Sequence, residues 1–206
     1  MAETFFTIYT GTAGRVDIGY DYTQDVANNT TSLTVKAYLV KTNGAYTSWN
    51  NFHNTFTLTV NGTATSLAYD FDFRNMTTGV RYLITTAVRS ITHKSDGSIG
   101  NIPVSVYYVS STSGLGTVSG SGSVPIATIP RATTPSISPT SQVPGGVIGI
   151  TLNRASTSFT HKIKVDFFAG VWTEVASSAT TSFNWTIPTD YASRIPSTTS
   201  GSGRIL

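Results

Sequence analysis

The sequence contains no cysteine and few charged residues. The absence of cysteine excludes a disulfide framework, a thiolate metal site and a thiol nucleophile. Asp, Glu, Lys and Arg make up 11% of the 206 residues, against about 25% in an average soluble domain. The formal net charge is only +3, and the sequence lacks the clustered Lys/Arg stripe that is typical of nucleic-acid-binding proteins. We therefore expect no nucleic acid partner.

Long apolar runs are also missing. No run approaches the roughly 20 residues of a membrane-spanning helix. The segment that begins at Met1 has neither the basic region nor the apolar region of a signal peptide. The sequence therefore predicts no membrane partner and synthesis in a cytoplasm.

Hydroxyl side chains dominate what the sequence does contain. Ser and Thr account for about 60 residues, and 39% of the chain is hydrophobic, which is too much for a disordered protein. Glu and Lys are too scarce for a helical bundle or a coiled coil. Thr, Val, Ile, Tyr and Phe all favour strands. The composition predicts an all-β protein with hydroxyl-rich surfaces.

Apolar and polar residues alternate along much of the first half of the chain. The alternating segments are residues 32–40, 54–60, 63–69, 81–91 and 102–109. A period of two indicates strands that are buried on one face. Asn61-Gly62 lies between two of these strands, which is a strong hairpin signal, and Asp96-Gly97 marks another turn. Short strands separated by turns are typical of a β-sandwich or barrel.

Proline separates two candidate domains. Pro130, Pro135, Pro139 and Pro144 follow a Gly/Ser stretch, and proline blocks the hydrogen bonds of a strand ladder. We therefore predict two β-sandwich domains. Residues 1–125 form a jelly-roll-like or immunoglobulin-like sandwich, 126–146 form a Pro-rich linker and domain entry, and 147–206 form an immunoglobulin-like sandwich.

The second predicted domain looks incomplete. Strand-like segments are residues 147–152, 159–168, 171–175, 183–187 and 204–206, with a helical turn at 189–195. An immunoglobulin-like sandwich needs about seven strands and about 100 residues. We expect that this domain is truncated at the C-terminus, so that either the natural protein is longer or a partner chain completes the sheet.

The sequence shows no arrangement typical of nucleophilic catalysis. No serine has glycine two residues before it and two residues after it, which the nucleophile elbow requires. The three histidines are His53, His93 and His161. Asp96, three residues after His93, is interpreted as capping its own turn, and His161 is predicted to face solvent. We predict no catalytic residues and no enzymatic activity.

Two aspartates that are two residues apart offer a second kind of site. Asp70 and Asp72 alternate with three aromatic residues, so a strand would place both carboxylates on one face, about 7 Å apart. That spacing is compatible with a glycosidase pair or a calcium site. Asp17, Asp21 and Asp25 recur every four residues, but no EF-hand loop accompanies them. A solvated strand face is the preferred interpretation, with no metal and no cofactor.

One loop combines aromatic rings with amides. Exposed aromatics beside amides suit sugars, which present an apolar face and hydroxyl groups. The predicted glycan-binding residues are Tyr46, Trp49, Asn50, Asn51 and His53. In the competing interpretation Trp49 and Phe52 plug the end of the sandwich. Trp172 and Trp185 are predicted to be core residues.

A series of short motifs resembles a known family. The motifs lie at residues 91–98, the Gly/Ser stretch up to 123, 126–131, 149–154, 158–161, 185–188, 195–196 and 199–203. Their order is similar to that in minor structural proteins of the tails of long-tailed phages that infect Gram-positive bacteria. The most specific elements are the turn around His93 and Asp96 and the Ile-Pro-Arg sequence that ends at Arg131.

The resemblance implies a virion component at the tail tip or in a tail appendage, assembled in the host cytoplasm. The implied partners are other phage tail proteins and host cell-wall polysaccharide. We expect the protein to form a homo-oligomer, and we predict that it is a trimer. No catalytic residues come with the resemblance. The alternative is a carbohydrate-binding module of a larger glycan-active protein.

Overall fold

The computed structural model is almost entirely β and describes residues 3–112, 114–131, 133–167, 170–194 and 200–206. Strands make up 55% of it and helix 5%, in several antiparallel sheets, which confirms the all-β sandwich prediction. The strands are β1 (Thr4–Thr10), β2 (Gly14–Asp25), β3 (Thr30–Lys41), β4 (Trp49–Asn50), β5 (Thr55–Val60), β6 (Thr63–Ala68), β7 (Phe71–Asp72), β8 (Arg81–Thr92), β9 (Ile102–Val109), β10 (Thr117–Val124), β11 (Thr134–Ser138), β12 (Val147–Asn153), β13 (His161–Asp166), β14 (Trp172–Ala179), β15 (Ser182–Thr186) and β16 (Arg204–Ile205). Short 3₁₀ turns cover Phe73–Asn75 and Thr189–Arg194.

The chain divides into two compact units, Met1–Ile129 and Pro130–Leu206. β11 lies inside the segment 126–146 that the prolines mark as a linker, and it pairs with β12 along its whole length. The strand is compatible with Pro135 because β11 is the edge strand of its sheet and an edge strand has unpaired backbone groups on one side.

The first unit contains two four-stranded sheets and the two-stranded sheet β4-β7. The strand orders of the two four-stranded sheets are β1-β2-β3-β8 and β10-β9-β5-β6. The alternation read from the sequence places one face of each strand inside, so that Leu33 and Val35 of β3 share a core with Phe56 and Leu58 of β5. Burial of these side chains away from water is the main force that holds the two sheets together.

The Asn-Gly turn between β5 and β6 forms as predicted. Asn61 has φ 51° and Gly62 has φ 77°, which are the two positive angles of a type I′ turn. Val60 therefore pairs directly with Thr63, and the register of the hairpin follows from the turn.

The Gly/Ser stretch after residue 110 contains a strand that alternation did not reveal. β10 pairs with β9 over eight positions, and its inward-facing residues include Gly120 and Gly122. A Cβ at Gly120 would lie 2.2 Å from the Ile8 carbonyl oxygen. Glycine is required there because β1, at the edge of the facing sheet, packs directly against the backbone of β10.

The second unit contains two three-stranded sheets, β11-β12-β15 and β14-β13-β16. Trp185 is buried in its core, as predicted. The prediction for Trp172 is wrong, because 38% of this residue is exposed and its ring lies 5.3 Å from the Arg204 guanidinium. β14 is an edge strand, which gives Trp172 less cover than a central strand would.

Candidate functional site

Two short strands hold the aromatic loop at one end of the first unit. β4 pairs antiparallel with β7, so Trp49 lies opposite Asp72 and Asn50 lies opposite Phe71. The backbone N–H of Phe73 donates to the carbonyl oxygen of Ser48 at 3.1 Å. The loop is therefore tied to the segment around Phe71 by backbone hydrogen bonds rather than by side-chain contacts alone.

Buried aromatic rings anchor that segment in the core. Phe71 and Phe73 are both buried, and their ring centroids are 4.8 Å apart. The ammonium group of Lys41, also buried, donates to the Phe73 carbonyl oxygen at 2.7 Å. These contacts hold the strand pair in place because neither a buried ring nor a buried ammonium group can move into solvent without losing its partners.

An arginine lies over the indole ring of Trp49. The Arg74 guanidinium carbon is 4.2 Å from the ring centroid, within range of a cation–π contact. Asp72 holds this guanidinium, with Nε 2.9 Å from Oδ1 and Nη2 2.8 Å from Oδ2. The hydrogen bonds from Arg74 lower the pKa of the Asp72 carboxyl. The Arg74–Asp72 ion pair therefore covers one face of the Trp49 indole and holds the ring in position.

A shallow pocket of about 400 Å³ opens beside Trp49. We call it the aromatic pocket, and its lining residues are Ser48, Trp49, Asn51, Phe52, Ser111 and Thr112. Trp49 is 49% exposed and Phe52 is 67% exposed, so neither ring plugs the end of the sandwich. Two aromatic rings, one amide and three hydroxyl groups thus meet at an open surface.

The predicted glycan-binding residues have different positions in this arrangement. Trp49 and Asn51 line the aromatic pocket. Tyr46 is half-buried and packs against the core of the first unit. His53 has an exposed side chain with Nδ1 2.6 Å from Asp70 Oδ2, and a positive φ of 51°.

Asn50 lies beneath the pocket and is only 1% exposed. Its amide donates to the Tyr108 hydroxyl, and its Oδ1 accepts from Ser111 Oγ at 3.2 Å. The Tyr108 hydroxyl donates in turn to the Tyr69 carbonyl oxygen at 3.0 Å. Burial raises the pKa of the Tyr108 hydroxyl above its ordinary value. Asn50 therefore positions the loop that carries Trp49 and Asn51.

Asn50→Ala is expected to destabilise the protein by about 2 kcal/mol, because it leaves a buried hydroxyl network incomplete. Asn51→Ala, one residue on, is the matched control and should change stability by less than about 0.5 kcal/mol because Asn51 is exposed. Urea denaturation of both variants measures the difference. Equal stabilities would contradict the positioning role of Asn50.

The two carboxylates that formed a candidate pair are both engaged with basic side chains. Asp70 contacts His53, and its Oδ1 also accepts from the His53 backbone N–H at 2.9 Å. Asp72 is held by Arg74. The aromatic residues that alternate with them pack into or against the core, as the alternation predicted.

Sequence reasoning missed Arg74, Ser48, Ser111 and Thr112 at this site. Ser111 and Thr112 belong to the loop between β9 and β10, about 60 residues after Trp49, and no local pattern connects the two loops. The only usable signal for Arg74 is its place two residues after Asp72, where an Asx-type turn is common.

The other histidines serve structure. His93 is buried, with Nε2 2.7 Å from Thr31 Oγ1 and Nδ1 2.8 Å from the Gly97 carbonyl oxygen. Asp96 accepts from the backbone N–H of Ser98 at 2.9 Å, the turn-capping role that was predicted. His161 is only partly exposed, contrary to expectation, and its Nε2 is 3.0 Å from Thr133 Oγ1.

Among the described residues, no three or more His, Asp or Glu side chains are grouped closely enough to hold a metal ion. None of the helical segments described in the structure is long and apolar enough to cross a membrane.

Comparison with known proteins places the chain in a family. A search of curated proteins finds no match. The sequence profile of a family described as "Siphovirus protein of unknown function (DUF859)" matches residues 16–206, which is most of the chain. The match confirms the resemblance to proteins of long-tailed phages: this chain belongs to the DUF859 family of siphovirus proteins.

Proposed function

We propose that this siphovirus protein is a structural component of the phage tail tip or of a tail appendage, and that it contacts a glycan on the host-cell surface through the aromatic pocket. The observation that carries the proposal is the half-exposed indole of Trp49, stacked on Arg74 and bordered by Asn51.

The chemistry of the pocket suits a sugar. An aromatic ring covers the apolar face of a pyranose, while amide and hydroxyl groups exchange hydrogen bonds with the sugar hydroxyls. Trp49 and Phe52 supply the rings, and Asn51, Ser48 and Ser111 supply the polar groups. Each of these polar side chains is uncharged, which favours a neutral sugar over an anionic ligand.

The pocket is also organised before a ligand arrives. Asp72 fixes Arg74 through both carboxylate oxygens, and Arg74 supports the indole of Trp49. Asn50 holds the backbone beneath. Binding then costs little side-chain entropy because the ring that stacks on the sugar is already in place.

Membership in a siphovirus family supports a place in the phage particle. The two sandwich units and the low charge fit a spacer that packs beside other tail proteins, as part of a homo-oligomer for which we propose three copies. Host cell-wall polysaccharide is the proposed external partner. The proposal assigns no catalytic step, since Asp70 and Asp72 are both engaged with basic side chains.

Trp49→Ala is expected to weaken binding to purified host cell walls about 30-fold, the loss typical of a tryptophan at the centre of a binding site. Thermal stability should hardly change, because Trp49 is half exposed. Trp172→Ala, which removes an exposed tryptophan from the second unit, is the matched control and should bind normally. Co-sedimentation of the protein with cell walls measures both variants.

Three results would contradict parts of the proposal. Wild-type protein that does not sediment with host cell walls excludes the glycan contact. Unchanged binding by Trp49→Ala excludes the aromatic pocket as the site of that contact. Immunogold labelling of virions should place the chain at the tail. A protein that binds glycan but is absent from virions would instead support the alternative of a carbohydrate-binding module from a larger glycan-active protein.

A further inference from the structure

The outer face of one sheet of the first unit carries no charge. It belongs to the sheet β10-β9-β5-β6, and we call it the hydroxyl face. Its fourteen residues, all in the described part of the chain, are Thr117, Ser119, Ser121 and Ser123 of β10, Pro103, Ser105, Tyr107 and Val109 of β9, Thr55, Thr57 and Thr59 of β5, and Ala64, Ser66 and Ala68 of β6. Ten of these fourteen side chains end in a hydroxyl group.

A tyrosine lies at the centre of the hydroxyl face. The strand register places Ser119, Tyr107, Thr57 and Ser66 in one row across the four strands. Tyr107 is 53% exposed, and the hydroxyls of Thr57 and Ser66 are 2.9 Å apart. The face therefore offers one flat ring surrounded by short groups that both donate and accept hydrogen bonds.

The opposite sheet of the same unit shows that this neutrality is local. Its strands β2 and β3 carry Arg15, Asp17, Asp21 and Lys36 on their outward-facing positions. Of the two outer faces of the unit, only the face of this sheet carries charged side chains among the described residues.

The hydroxyl face leads directly to the aromatic pocket. Val109 ends β9 two residues before Ser111, and Thr55 begins β5 three residues after Phe52. The Asn54 amide donates to the Val109 carbonyl oxygen at 2.7 Å, which joins the two loops at this end of the sheet. The pocket thus lies at the end of the face where β9 finishes and β5 starts.

The face is long enough for several sugar rings in a row. Four strands span about 14 Å and an eight-residue strand extends about 27 Å. We propose that the hydroxyl face continues the aromatic pocket and binds an extended, uncharged polysaccharide chain, with Tyr107 as a second stacking position. This inference rests on the proposed function of the pocket and specifies the length and charge of its ligand.

The composition of the face favours a neutral glycan over other partners. An anionic polymer would be met by Lys or Arg, and the face has neither. A stable protein interface has a core rich in aromatic and large apolar residues, whereas the hydroxyl face has only Tyr107 and Val109 among the exposed large side chains. Ser and Thr instead match the alternating donors and acceptors of sugar hydroxyls.

The test uses size-fractionated neutral oligosaccharides from the wall polysaccharide of the strain on which the phage grows. Calorimetric titration of the wild-type protein should show affinity that rises about tenfold from the shortest to the longest fragments, the gain from one added aromatic contact. Tyr107→Ala should bind short fragments normally and lose the gain with length. Tyr107→Phe should retain it, because the ring is kept.

The remaining outcomes separate this inference from the proposed function. If the affinity depends on Trp49 but not on fragment length, the proposed function of the aromatic pocket stands and the proposed extension along the hydroxyl face is wrong. Wild-type protein that binds the anionic wall fraction more tightly than the neutral fraction would overturn the assignment of an uncharged ligand. If Tyr107→Ala alters the oligomeric state in sedimentation but not glycan binding, the face is a protein interface and the inference is wrong.

Discussion

Gly120→Ala is expected to destabilise the first unit by about 3 kcal/mol. The added Cβ would lie 2.2 Å from the Ile8 carbonyl oxygen, closer than any non-bonded contact allows. The obstacle is backbone in the middle of β1, so relief requires the two sheets to separate locally rather than one side chain to rotate. Overpacking of this kind costs at the upper end of the usual 1–3 kcal/mol range. Urea denaturation, followed by tyrosine and tryptophan fluorescence, measures the change.

Two neighbours in the same strand provide matched controls. A Cβ at Gly122 would meet the Phe6 ring at 2.8 Å, and a ring can turn aside, so Gly122→Ala should cost less than Gly120→Ala. Ser121→Ala changes an exposed position between them and should stay within about 0.5 kcal/mol of the wild type. If Gly120→Ala is as stable as Ser121→Ala, β1 does not pack on β10 as described.

Asp17→Asn is expected to cost about 2 kcal/mol at neutral pH. The buried carboxylate accepts from Thr7 Oγ1 at 2.8 Å, from Arg15 Nε at 2.9 Å and from Arg81 Nε at 3.0 Å. The asparagine amide has nearly the same volume as the aspartate carboxylate but carries no charge. Its NH₂ group would face the hydroxyl and guanidinium donors that the carboxylate accepts from. Removal of one partner from a buried ion pair lowers the free energy of unfolding by about 3–5 kcal/mol. The loss is smaller here because Arg15 and Arg81 are both partly exposed to water.

The effect of Asp17→Asn should depend on pH. Burial raises the pKa of the Asp17 carboxyl, but the hydrogen bonds from Arg15, Thr7 and Arg81 outweigh burial and lower it overall. Since the pKa is lower in the folded than in the unfolded protein, the ionised carboxylate stabilises the fold above about pH 4. That stabilisation disappears as the pH falls through the lowered pKa of the folded state.

Denaturation at pH 7, 5 and 3 tests this dependence. The stability difference between wild type and D17N should be constant between pH 7 and 5 and become smaller at pH 3. Asp21→Asn, four residues on in the same strand, is the control and should show a much smaller difference at pH 7. A D17N effect that stays the same at all three pH values would show that the charge of Asp17 does not contribute.

The sequence alone determined the all-β character and the inward-facing side of the strands that alternate. Alternation identified Leu33 and Val35 as buried, and Asn61-Gly62 specified the hairpin that follows β5. These features are local, because side-chain direction in a strand repeats every two residues and a type I′ turn needs only two residues with positive φ. The sequence also located the aromatic loop that carries Trp49, although it did not show which side chains are exposed.

Only the tertiary structure decided how distant segments meet. The four-residue spacing of Asp17 and Asp21 did not show that both lie on β2, or that Asp17 is buried where Arg81 of another strand reaches it. β10 has no apolar alternation of its own and exists because β9 pairs with it along its length. Ser111 joins Trp49 at one pocket because β9 and β5 run antiparallel, so that the end of β9 lies beside the start of β5. Strand pairing and sheet packing act between residues far apart in the chain, and no local pattern in the sequence records them.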